Sequence, residues 1–170
     1  MPNAAKVFVR YVDALNYRVG RLAMYLFFVM GAILLYSTAS RVFFGVPISW
    51  VLEMSQFLLS AYYLLGGAYT MQLGQHVRMD LAYGALSPKN RAVTDAITIL
   101  FVIFYLAVLL GGGISSTNYA IVYGQKNYSA WSPPLWPIKS IMTIGIFLML
   151  LQCISTFLKD VAAARGKPIE

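Results

Sequence analysis

The sequence predicts an all-α integral membrane protein, with four transmembrane helices plus short interfacial amphipathic helices, and three observations carry that prediction. Of 170 residues, 59% are hydrophobic and 11% charged, a composition that belongs to membrane proteins and not to soluble domains. Apolar runs of fifteen to twenty-one residues recur at about 22–40, 54–73, 96–110 and 138–158, and twenty helical residues rising about 1.5 Å each cross roughly 30 Å of hydrocarbon. The thirteen Lys and Arg stand at the ends of these runs, so the net charge of +7 reports topology and contact with anionic lipid, and nucleic acid is set aside as a partner. The single cysteine, Cys153, excludes an intrachain disulfide and a cysteine metal cluster.

Residues 5–20 mix Lys6, Arg10 and Arg18 with Val7, Val9, Val12, Leu15 and Val19, the pattern of a short amphipathic helix lying on the membrane surface. The charge-free run from Leu22 to Ser40 follows. A signal peptide cut near Ser37-Thr38-Ala39 is the alternative, but the basic region is too long and the apolar run is nearer spanning length. Span one ends at Arg41, and Gly45 and Pro47 mark a tight turn that makes spans one and two antiparallel neighbours.

Span two is the stretch around which the others are expected to gather. Trp50 is an interfacial anchor, Glu53 lies one turn later, and Met54 to Leu73 carry no charge. Ser60, Gly67 and Gly74 recur every seven residues, giving one face on which another backbone, of span one or of a partner subunit, can approach closely. His76, Arg78 and Asp80 then bring polarity, and residues 77–86 read as a second interfacial segment. Ser87-Pro88 opens the next helix as N-cap and first-turn proline. Span three is expected to loosen at Gly111-Gly112-Gly113, leaving 111–137 as a tyrosine-rich outer loop. Within it, Trp131-Ser-Pro-Pro-Leu-Trp136-Pro137 cannot be regular helix, and its tryptophans suit the headgroup belt. Lys139 can snorkel back from the start of span four. All 170 residues form one membrane domain.

Four spans place both termini on one side. With the termini and the 74–95 connection go Lys6, Arg10, Arg18, Arg21, Arg78, Lys89, Arg91, Lys159, Arg165 and Lys167; the opposite side has Arg41, Lys126 and Lys139. This ten-to-three split places the termini in the cytoplasm.

The span interiors offer no Asp, Glu, Arg or His, only polar residues such as Gln56, Ser60, Thr143 and Gln152, none of which titrates; the two glutamines read as interhelical hydrogen-bonding residues. An ion-moving protein usually carries ionisable residues deep in its spans. Arg41 and Glu53 are expected to pair and fix the outer hairpin, with a contact from Glu53 to a partner subunit as the sharper alternative. His76 is the only histidine, so two axial haem ligands are unavailable. No phosphate loop, nucleophile elbow or paired catalytic carboxylates occur. The reading is not an enzyme, without cofactor, metal or substrate-binding residue.

The spacing Arg41-x-x-Phe44-x-x-Pro47-x-x-Trp50-x-x-Glu53, then Gly66 to Ala68, then Gly74-x-His76-Val77-Arg78-Met79-Asp80, resembles the small membrane (DctQ-like) subunit of tripartite ATP-independent periplasmic (TRAP) transporters. The Trp131 to Lys139 segment is similar to one branch of that family, and the resemblance runs from about Arg18 to Leu158. It implies a non-transporting scaffold in the bacterial inner membrane, paired with a large many-spanning subunit that carries the substrate and sodium sites. A periplasmic substrate-binding protein would feed the pair, and the imported substrates would be organic acids such as dicarboxylates, sialic acid or 2-oxo acids. A small proton-coupled multidrug exporter, which would need Glu53 at the membrane midplane, and a tetraspan structural protein are the competing readings.

Overall fold

The structure, a computed structural model, describes residues 3–73 and 88–164. Within them lie four helices, which we number α1 (Asn3–Phe44), α2 (Trp50–Gln72), α3 (Pro88–Val122) and α4 (Trp136–Ala164), and no strand among the described residues, only an isolated bridge between Lys126 and Pro134. Gly74, His76 and Asp80, with the expected interfacial segment 77–86, lie outside the described residues.

Two expected boundaries change. The amphipathic segment 5–20 is not a separate surface helix: α1 runs unbroken over 42 residues, about 63 Å at the helical rise. No proline interrupts it, and its buried stripe of Val9, Val12, Asn16 and Ala23 continues from one half into the other at helical spacing. Likewise the outer loop does not begin at residue 111, because α3 passes through Gly111-Gly112-Gly113 to Val122. Glycine weakens a helix by letting water and chain entropy compete with it; in an apolar segment every backbone group must stay bonded internally, so three glycines do not end the helix.

The helix ends have local causes. At the end of α1, Gly45 takes a φ of +67° and its N–H reaches the Arg41 carbonyl at 3.1 Å, the left-handed stop that glycine makes without strain. After α3, Gly124 (φ +57°) plays the same part, with the Gln125 N–H donating to the Ala120 carbonyl at 3.0 Å. The connection then folds on itself, Asn127 N–H to Pro133 carbonyl and Leu135 N–H to Gln125 carbonyl, which aims Trp131 back over α2.

Helix α4, not α2, is the element all others touch: α1, α2 and α3 each pack on it, and α1 also packs along α2. A third of its spanning stretch is buried, against 6% for α1 and α3. The reason lies in Gly145. A side chain there would meet the Leu64 carbonyl oxygen at 2.8 Å, so the backbones of α2 and α4 are in direct contact. Leu106, Ile146 and Cys153 form the core between α3 and α4, closed by Met71, Val102 and Met149. The outward faces carry bare apolar side chains, among them Phe28, Leu35, Phe101, Phe104 and Val108, as a lipid-facing surface requires.

Helices α1, α3 and α4 are long and apolar enough to cross a membrane; α2 falls short by apolarity. It has the length, 23 residues, but Glu53, Gln56, Tyr62, Tyr63 and Tyr69 lower its mean hydropathy.

Candidate functional site

The most elaborate polar arrangement lies where the amino-terminal half of α1 meets the end of α4. Val9, Val12, Asn16, Gly20 and Ala23 recur every three or four residues and so share one face of α1. Gln152, Ser155 and Lys159 do the same on α4. Packing the two faces together brings Asp13 against all three. Its Oδ1 accepts from Gln152 Nε2 and from Ser155 Oγ, each at 3.1 Å, and its Oδ2 pairs with the Lys159 ammonium. Asn16 Nδ2 donates to Gln152 Oε1 at 2.6 Å and also faces the Leu148 carbonyl. Asn16, Gln152 and Ser155 are fully buried, while Asp13 and Lys159 keep some contact with the outside.

This cluster fastens α1 to α4. Asp13 Oδ1 takes two donors and Lys159 compensates the charge at Oδ2, while Asn16 Oδ1 is buried in the same cluster without a partner. Among the described residues no three metal-ligating side chains converge. Sequence reading caught Gln152 as interhelical but missed Asp13, Asn16, Ser155 and Lys159. The available signal was the matched spacing of polar residues on two helices, Asp13 and Asn16 three apart, Gln152, Ser155 and Lys159 three and four apart.

The expected Arg41–Glu53 pair does not form; among the described residues the ion pair is Lys159 with Asp13. Arg41 projects outward from the last turn of α1, whereas Glu53 is buried inside the first turn of α2 with Oε2 lacking a partner. One is exposed and the other buried, a difference that a short turn alone could not reveal. Gln56, on the exposed side of α2, does not share the role of Gln152.

Of the small-residue face of α2, Gly67 packs against α4 and also borders a cleft shared with α1, and Gly74 lies outside the described residues. Ser60 is half-buried, and a side chain at Gly67 would meet Met149 Sδ at 2.9 Å. Trp50 and Trp131 come together, ring centroids 6.4 Å apart, and Trp136 opens α4 half-exposed. Lys139 donates to Gln125 Oε1 at 2.7 Å, tying α4 to the connection before it, and Thr117 and Thr143 hydroxyls join α3 to α4 at 2.9 Å. Beneath Trp131 an apolar cleft of about 480 Å³ opens between α1, α2 and α4, lined by Leu26, Phe57, Ala61 and Ile141.

Compared with known proteins, the chain matches over residues 30–163 the family model described as tripartite ATP-independent periplasmic transporters, DctQ component. No curated protein and no solved structure gives a match.

Proposed function

The chain belongs to the DctQ component family of tripartite ATP-independent periplasmic transporters, and from that premise we propose that it is the non-transporting scaffold of a sodium-driven, binding-protein-dependent importer of an organic acid. It is a transporter component and not a member of an enzyme family. In this reading a large many-spanning membrane subunit carries the substrate and sodium sites, and a periplasmic substrate-binding protein delivers the substrate. In this proposal all four helices cross the bacterial inner membrane with both termini cytoplasmic, an orientation that the ten-to-three charge split favours.

One observation carries the scaffold assignment. Apart from Asn16 Oδ1, the polar side chains that the bundle buries at α1 and α4 bond to one another, Asp13 to Gln152, Ser155 and Lys159, and Asn16 Nδ2 to Gln152. A carrier needs polar groups presented to a cargo at mid-depth. Glu53, the acid a proton-coupled exporter would use, stands in the first turn of a 23-residue helix beside the Trp50 anchor, which favours the scaffold over that alternative.

The proposal is tested by sodium-gradient uptake of organic acids in proteoliposomes that hold the large subunit, with binding protein outside. Adding this chain should raise uptake without altering substrate preference or the dependence on sodium. A change in either, produced by substituting Glu53 or Gln152 in an intact complex, would make this subunit part of the transport chemistry.

A further inference from the structure

On the side of the hairpin away from the apolar cleft, α1 and α2 part again and leave a second cleft of about 290 Å³, lined by Gly20, Met24, Tyr62, Gly66, Tyr69 and Thr70. It stays open because Gly66 has no side chain; a Cβ built there meets nothing within 4 Å. Its end toward the chain terminus is framed by an aromatic relay. Tyr69 meets the Tyr17 ring edge-on at 5.8 Å between centroids, and the Arg21 guanidinium lies over Tyr17 at 5.4 Å from the centroid.

Arg21 does not stand alone. Lys6, Arg10, Tyr17, Arg21 and Met24 follow one another at intervals of four, seven, four and three residues, so they share one stripe of the helix. Lys6, Arg10, Tyr17 and Arg21 are exposed. The acid of this region, Asp13, is engaged by α4 and leaves the stripe positive. Helical side chains slant toward the amino terminus, so the guanidinium of Arg21 is carried away from the apolar cleft and toward the membrane boundary, where the polar residues of α1 begin. An apolar slot that ends in a cationic, tyrosine-bearing rim is complementary to one amphiphile: an acyl chain in the slot and a phosphodiester on Arg21.

We propose that the α1–α2 cleft is a binding site for an anionic phospholipid of the leaflet on the terminal side, its acyl chain lying over Gly66 and its headgroup phosphate held by Arg21, with Arg10, three turns further along the stripe, adding to the positive field. The lipid completes the hairpin where protein side chains leave a gap, and Tyr17 and Tyr69 occupy the glycerol level at which aromatic rings are favoured. The inference rests on the membrane-spanning reading proposed above but not on the partner subunits or on which side the termini face.

The test is native mass spectrometry of the detergent-solubilised full chain, with whatever subunit co-purifies, titrated with phosphatidylglycerol or with phosphatidylcholine of the same acyl chains. We expect a saturable single lipid and a preference for phosphatidylglycerol. R21Q should weaken phosphatidylglycerol binding about fivefold, the effect of removing one basic residue beside an anionic surface, and R10Q/R21Q somewhat more, because the more distant Arg10 contributes only to the local field. Phosphatidylcholine binding should barely change in these variants. Gly66→Leu should weaken both lipids, since it fills the slot, and K126Q, in the connection after α3, should weaken neither. Both arginines are on the exposed stripe, so their variants keep the fold and can be read even where Gly66→Leu misfolds. Equal binding of the two lipids by the parent chain, or full retention of phosphatidylglycerol by R10Q/R21Q, overturns the proposal; so does equal weakening by K126Q, which would show only diffuse attraction. Resistance of the chain to alkaline extraction from membranes is scored separately, so loss of the membrane-spanning reading is not mistaken for loss of the lipid site.

Discussion

Replacing Asp13 by alanine should detach the amino-terminal half of α1 from α4 while leaving the rest of the bundle in place. The substitution strands two donors, Gln152 Nε2 and Ser155 Oγ, which now bond Asp13 Oδ1 at 3.1 Å and belong to residues with no exposed surface. A buried donor left unpaired costs about 1–3 kcal/mol, whereas polar contacts between membrane helices average only about 0.6 kcal/mol because the separated helices find other partners. The pairing with Lys159 contributes less, since its side chain is a third exposed and keeps its hydration. Between these limits we expect a loss of about 1–4 kcal/mol for D13A. The assay is steric trapping of tags on α1 and α4 in lipid bicelles, with a double-mutant cycle against Gln152→Ala. Direct contact requires that the double variant lose less than the sum of the single losses. A D13A loss below about 0.3 kcal/mol, or strict additivity with Gln152→Ala, would refute the claim that this cluster joins the two helices.

Three further outcomes are expected. Gly145→Ala should cost about 1–3 kcal/mol, because its methyl group meets the Leu64 backbone carbonyl, which cannot move aside; Gly67→Ala, whose new methyl group meets the flexible end of Met149, should cost visibly less in the same thermal melt, and the reverse order would show that α2 and α4 do not meet as described. Glu53→Leu should be neutral or stabilising, since it removes a buried carboxylate oxygen that has no partner; together with Arg41→Ala its effect should be additive in detergent unfolding, and coupling between the two would restore the ion pair that the structure lacks. A cysteine at Asn127 should react with an impermeant maleimide from the periplasmic face of intact cells and one at Lys6 only after permeabilisation; the opposite pattern inverts the topology.

The parts of the fold that depend on composition were legible in the sequence, and those that depend on helix pairing were not. The apolar runs and the stop at Gly45 could be read directly, because hydrocarbon length and a left-handed turn leave local signatures. Gly111 to Gly113 misled, since glycine in an apolar helix is not exposed to the water that would unravel it. The hairpin pair Arg41 and Glu53 also misled: nearness in sequence fixes neither the azimuth of Arg41 on α1 nor that of Glu53 on α2. The cluster at Asp13 was hidden for the converse reason. Its members are about 140 residues apart, and a lone acid among Lys6, Arg10 and Arg18 looks like an ordinary interfacial residue until α4 is laid against it. Gly145 carried no special signal, although it sets the distance between the central helices.

If this chain is the small scaffold subunit of a larger importer, tagging it at its own locus and extracting it from the native membrane in a mild detergent should recover its partner. A large, many-spanning membrane protein should be retained through size-exclusion chromatography and present in comparable staining intensity. Recovery of the chain alone, or only with further copies of itself, would contradict the scaffold assignment.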